Sequence, residues 1–115
     1  MQVEEPVLRI MERTTRAGVV VVVVQGEIDI ATVDALRARL AHCQGDVTVD
    51  LRRVGFLDCL GLRVLLEQHE RSAQRGFRVD FVQGPAPVRR VFELTGTVDR
   101  LYFIEVAARP VSATA

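Results

Sequence analysis

Lysine is absent from this 115-residue chain: all 15 basic side chains are arginine, and 15 acidic residues balance them to a formal net charge of zero. A two-component receiver domain, which depends on a lysine near its fifth strand, is therefore excluded in its ordinary form. With no excess of either sign there is no global field to draw the chain to a phosphate backbone or an anionic bilayer, so nucleic acid and membrane surfaces fall away as partners. Cysteine is scarce. Cys43 and Cys59 have neither zinc-site nor thioredoxin spacing, and one pair makes no disulfide framework, which points to a reducing cytoplasm. His42 and Cys43 are adjacent on one helix and cannot both face one metal, and His69 stands at no ligand spacing to Cys59, so no metal site is expected. The glycines fit neither the dinucleotide fingerprint nor the P-loop pattern, so no nucleotide cofactor is expected either. The N-terminus lacks a basic segment leading into an apolar stretch. The longest apolar run, the valines at 19–24, is far too short to span a bilayer, so membrane insertion is not expected.

What is present suits one compact core, since 49% of the residues are hydrophobic. Residues 7–11 read as a short strand, residues 14–18 as a polar turn ending in glycine, and the valines at 19–24 as a second strand antiparallel to the first. Valine's branched Cβ suits an extended backbone, and a strand apolar on both sides is expected inside the sheet with both faces covered. Thr32 is placed as the N-cap of a helix reaching about His42, its hydroxyl accepting an orphan N–H and Asp34 complementing the helix dipole. Val33, Leu36 and Leu40 form that helix's inner stripe, with Arg37 and Arg39 turned away. Residues 47–51 alternate as a half-buried strand. Residues 56–62 then pass from a loop into a second helix reaching about Gln74, with Leu62, Leu65, Leu66 and Ala73 inward and His69 at the core edge. Glu67 and Arg71 form an i,i+4 pair on its other side. Gly76 ends this helix, residues 77–82 are a strand, and Pro85 and Pro87 suit the first turn of a third helix carrying Val88, Val91, Phe92 and Leu94. Gly96 stops it, and residues 101–104 form a last strand. The order β-β-α-β-α-β-α-β predicts an α/β domain over residues 1–106, a mixed four- to five-stranded sheet with right-handed parallel crossovers and helices packed on it. Residues 107–115 read as a flexible tail.

Three segments, in order along the chain, carry a resemblance. They are Gly26-Glu27-Ile28-Asp29; Val47-Thr48-Val49-Asp50-Leu51 followed by Phe56-Leu57-Asp58-Cys59-Leu60-Gly61-Leu62; and Pro87-Val88-Arg89-Arg90-Val91-Phe92-Glu93-Leu94-Thr95-Gly96. Together they resemble the STAS domain of anti-sigma factor antagonists over roughly residues 7–105. The resemblance implies a STAS-like fold and a bacterial partner-switching role in transcription control. In such families the antagonist binds an anti-sigma factor that is also a serine kinase, and so frees the sigma factor. It is inactivated when that kinase phosphorylates a serine or threonine directly after the loop aspartate, because the phosphate adds roughly −1.5 to −2 charges at the mouth of a helix. The partner surface so implied comprises Glu27, Asp29, Asp58, Cys59, Leu60, Gly61 and Arg63.

This chain departs from that pattern where the switch should be: Cys59 follows Asp58, and Leu60 stands where the family usually has serine or threonine. A thiol is nearly the size of a hydroxyl, so the docking surface is expected to survive, but it is not the oxygen acceptor that a serine kinase uses. Cys59 is open to two further readings, a small buried hydrophobe or a thiol made oxidisable by the helix N-terminus, with the carboxylate of Asp58 opposing the latter. Asp58 reads equally as an N-cap and as a docking residue. Glu27 and Asp29 also suit a plain turn, Arg63 a solvated helix face, and Gly61 the close approach of another backbone.

No enzyme is expected. Cys59 and His69 on one helix are separated by roughly 15 Å of rise and cannot form a nucleophile–base pair. The competing function is a STAS subunit of a lipid-transport ABC complex or of a stressosome-like assembly. In either case the chain is expected to be a cytoplasmic monomer or weak dimer.

Overall fold

Strand β1 (Leu8–Thr14) turns back through Gly18, whose φ of 87° is one that side-chain-bearing residues rarely adopt, into β2 (Val20–Ile28). The two pair antiparallel, with Leu8 opposite Gly26 and Thr14 opposite Val20. The computed structural model describes residues 8–106, so the start of the first strand at Val7 and the tail at 107–115 lie outside the described residues. Helix α1 (Val33–His42) leads to β3 (Val47–Leu57), α2 (Cys59–Gln74) to β4 (Val79–Val82), and α3 (Ala86–Thr95) with a 3-10 turn (Val98–Arg100) to β5 (Phe103–Ile104). Among the described residues the sheet has five strands in the order β1-β2-β3-β4-β5, and every pairing after the first is parallel. The expected α/β architecture with a mixed sheet is thus the observed one.

The register sorts the strand residues into two sets. Val22, Val49 and Phe81 are mutual partners on one face, and with Val24, Val47, Leu51 and Val79 they form one buried cluster with Leu36 and Leu40 of α1, Leu62 and Leu65 of α2, and Val88 and Phe92 of α3. All three helices therefore lie on one side of the sheet. Since β2 to β5 also advance in one direction, the three crossovers share one hand. Phe92 meets the ring of Phe103 edge-on at 5.1 Å, and Phe103 tilts against Phe81 at 5.9 Å, which closes the core under α3. The opposite set, Val21, Val23, Thr48, Asp50, Asp80 and Val82, has no member in that cluster. The valine strand is internal as expected, and its far face is covered at least in part, since Val21 is buried and Val23 half-buried there, although the described helices roof only the other face.

Four expectations are corrected. β3 continues to Leu57, where the sequence predicts a loop, because two register shifts each insert an extra residue in β3 and so scramble the alternation of its outer half. β4 begins at Val79, not Phe77, since the Phe77 N–H is held by the Ser72 carbonyl at 2.8 Å in the turn after α2. Leu94 is 80% exposed, not inward, and Ala73 is exposed as well, whereas Val64, Gln68 and Ser72 are the buried residues the periodicity missed. Glu67 does not turn to Arg71. It meets Arg37 of α1 at 3.6 Å, and Arg37 also holds Asp34 at 3.0 Å, so the pair ties α1 to α2.

Candidate functional site

The residues singled out around Asp58 converge at the C-terminal ends of β2 and β3. Ile28 pairs with Leu57 at the end of the parallel ladder, and the Asp58 N–H donates to the Ile28 carbonyl at 3.1 Å. The chain therefore leaves both strands at one corner, the Asp29–Ala31 turn on one side and the start of α2 on the other. Asp58 is the N-cap of α2: its Oδ1 accepts from the Gly61 N–H at 2.9 Å, and its carbonyl accepts from the Leu62 N–H at 3.0 Å. The capping reading of Asp58 thus holds, and the cap fixes where the next residues point. Asp58→Ala is expected to cost about 1 kcal/mol of stability in urea unfolding, whereas Asp58→Asn, whose amide oxygen can still accept from Gly61, should retain most of it.

The companion turn is closed differently from the expectation. The Thr32 hydroxyl caps no helical N–H. It donates to the Glu27 carbonyl at 2.7 Å and accepts from the Asp29 N–H at 3.0 Å, while Asp29 Oδ1 accepts from the Ala31 N–H at 2.9 Å. Thr32 and Asp29 are used up in holding the turn, which presents Ile30 at 75% exposure. Glu27 is exposed beside its β3 partner Phe56, itself 48% exposed.

On α2, Cys59, Leu60 and Arg63 are all exposed. Helical spacing puts Arg63 one turn beyond Cys59 and Leu60 on the same side. The reading of Cys59 as a small buried hydrophobe is therefore overturned: its thiol is at the surface, and Cys43 is the half-buried one. Burial first, then Glu12, pushes the Cys43 thiol above its ordinary range against the pull of Arg39. Gly61 is buried, and what approaches it is not a backbone. A Cβ there would lie 2.5 Å from Ile28 Cγ2 and 2.6 Å from Leu57 Cδ1, so the missing side chain lets α2 sit directly on the two strand ends.

Of the predicted surface residues, Glu27, Asp29, Asp58, Cys59, Leu60 and Arg63 thus share one corner, with Gly61 beneath them. Ile30 and Phe56 complete it as exposed apolar residues that the sequence reading missed. The available signal was adjacency: Phe56 and Leu57 are consecutive in an extended chain, so only one of them can face the core.

A second polar feature lies below the corner on β3. Asp50 is buried and held by Arg52 through Nε at 3.0 Å and Nη2 at 2.8 Å. Burial pushes its carboxyl up, but the hydrogen bonds and charge of Arg52, with Arg53 behind, outweigh that and hold it below the ordinary carboxylate range. Among the described residues no group of three or more His, Cys, Asp or Glu is placed to hold a metal ion, and no helix is long and apolar enough to cross a membrane.

The family model described as "Mlab, STAS domain" matches residues 10–104. Among solved structures, an anti-sigma factor antagonist from Mycobacterium paratuberculosis is similar at 27% identity and a TM-score of 0.76 over 92% of each chain. The Bacillus cell fate determinant SpoIIAA in its phosphorylated form shares the fold at 19% identity and a TM-score of 0.66, over 87% of this chain and 93% of that one. The STAS domain of an anti-sigma factor antagonist from Rhodobacter sphaeroides does so at 18% identity and a TM-score of 0.58, over 66% of this chain and 86% of that one. No curated protein matches the sequence.

Proposed function

The chain belongs to the STAS domain family, and from that premise we propose that it is a cytoplasmic regulatory protein of the anti-sigma factor antagonist kind, which works by docking and not by catalysis. The partner is an anti-sigma factor of the serine-kinase type, and its capture releases a sigma factor for transcription. The observation that carries this reading is the exposed corner around Asp58. There a cap with a fixed hydrogen bond positions Cys59, Leu60 and Arg63 beside Ile30 and Phe56, and such a mix of apolar anchors ringed by Glu27, Asp29 and Arg63 suits a protein surface better than a small substrate. Likeness to the mycobacterial antagonist over nearly the full length of both chains supports the same reading.

Cys59 occupies the position that a phosphorylatable hydroxyl would take, and the thiol leaves the module competent to bind in the presence of ATP. Incubation of the purified chain with its anti-sigma kinase and ATP should leave its mass unchanged, while Cys59→Ser should gain a phosphate. Phosphate on Cys59 itself would refute the unswitched reading. Capture of a small kinase-type ATPase in a pull-down supports the antagonist role, whereas capture of an ABC-type ATPase with its permease would assign the chain to a transport complex instead.

A further inference from the structure

Arg52 and Arg53 are neighbours in β3 yet line one cavity, although consecutive residues of a regular strand point to opposite faces. The register explains it. From Val23 to Gln25, β2 advances two residues while its partners on β3 advance three, from Asp50 to Arg53, so an extra residue is bulged out between them. The guanidinium of Arg52 folds back onto Asp50, donating to its carboxylate through Nε at 3.0 Å and Nη2 at 2.8 Å, and the Arg52 backbone N–H adds a third bond at 3.0 Å. Bulges that re-aim a side chain in this way are over-represented next to functional sites.

The cavity, about 410 Å³, opens on the side of the sheet away from the helices. Val21 and Val82 on the same side are buried, so the opening is local. Its floor is the row of Met11, Val23 and Asp50 across β1 to β3, with Asp50 buried at one end and Met11 exposed at the other. Arg53 stands one row beyond the floor on β3 and Arg13 one row beyond it in the opposite direction on β1, and successive rows on one face are about 7 Å apart. The acids in the lining are already matched, Glu12 by Arg39 at 2.8 Å and Asp50 by Arg52. Arg13 and Arg53 form no ion pair among the described residues. Positive charge is thus left over around an opening whose base offers apolar surface.

We propose that this cavity binds a small organic anion, its carboxylate or phosphate group held among Arg13, Arg52 and Arg53 and its short apolar body laid on Met11 and Val23. The volume lies at the small end of the roughly 300–1,000 Å³ of ligand pockets, which suits a compact molecule. Guanidinium forks match the oxygens of either head group in pairs. Arg52 is set in place beforehand by Asp50, so it loses little freedom when an anion arrives, and both N–H groups of its Nη1 have no partner among the described residues. A cationic ligand would have to displace Arg52 from Asp50 to find a counter-charge at the floor. Such a site is separate from the Asp58 corner and needs no partner protein to be filled.

NMR titration of the full chain at constant ionic strength tests this, with phenyl phosphate, hexanoate, inorganic phosphate and hexylamine as probes. Phenyl phosphate, hexanoate or both should give saturable shifts at Met11, Val23, Arg52 and Arg53, and the tighter of the two identifies the head group. Inorganic phosphate, which has no apolar body, should bind roughly tenfold more weakly, and hexylamine should not bind. Arg13→Gln and Arg53→Gln should each weaken binding by roughly tenfold. Both side chains are exposed, so circular dichroism should show the fold unchanged. The absence of any saturable shift up to about 20 mM overturns the proposal. So do equal affinity for hexylamine, shifts that map away from the cavity, binding that survives in the folded double variant, and saturable binding of hexaglutamate but of neither small organic anion, which would make the arginines a docking surface for an acidic peptide instead.

Discussion

Phe81→Ala should remove about 3–5 kcal/mol of folding free energy, the largest loss expected from any single truncation in this chain. Phe81 is fully buried on β4, with β3 on one side and β5 on the other, and its ring supports Phe103, which in turn supports Phe92 of α3. Removing it opens a cavity where three elements meet, and small domains have only about 5–15 kcal/mol in all. Urea unfolding should show a much lower midpoint with an unchanged slope. Leu94→Ala is the informative control. Its side chain is 80% exposed, so the change should stay within about 0.5 kcal/mol, although helical periodicity alone would class it with Val91 and Phe92.

Gly61→Val is expected to cost about 3 kcal/mol, and this loss reaches the docking corner as well as the fold. The first added carbon already overlaps Ile28 Cγ2 and Leu57 Cδ1, and neither can withdraw, because both side chains are buried at the strand ends. The first turn of α2 must lift instead, which stretches the bond from the residue-61 amide to Asp58 and displaces Cys59 and Leu60. Urea unfolding measures the first effect. Anti-sigma factor binding, assayed at a temperature where the variant is still folded, measures the second. Loss of binding without loss of the fold would separate the corner's geometry from general stability, while full binding would show that the placement of Cys59 and Leu60 does not matter to the partner.

How far this molecule could be read from its sequence depended on whether local chemistry or long-range pairing set each feature. α2 was read to its last residue because Gly76 and the leucine spacing are local signals, and α3 because Pro85 and Gly96 punctuate it. The outer half of β3 escaped because its two bulges put Arg52 and Arg53 side by side and break the alternation on which strand recognition rests. The shortness of β4 escaped because a backbone bond from Phe77 to Ser72 competes with the ladder, and no residue type announces it. At the corner, an aspartate before a helix made the Asp58 cap legible. The exposure of Cys59 was not, since periodicity says nothing about which way the first residue of a helix faces. The sequence places Thr32 correctly but not its partner, because a hydroxyl one residue before a helix can turn either forward to it or back to the strand, and only the path of β2 decides.

The sheet order follows the chain order without exception. Each strand after the first adds beside the one made just before it, and none has to be inserted between two that already pair. The parallel pairings close over 22 residues of chain, from Phe81 to Phe103, to 32, from Val47 to Val79, so the loops are of moderate length and no pairing waits for a strand beyond the next one. A ribosome releasing this chain therefore exposes a growing edge that the next strand can cover, and Phe81, on the second-to-last strand, arrives only when β3 and α2 are already in place to receive it.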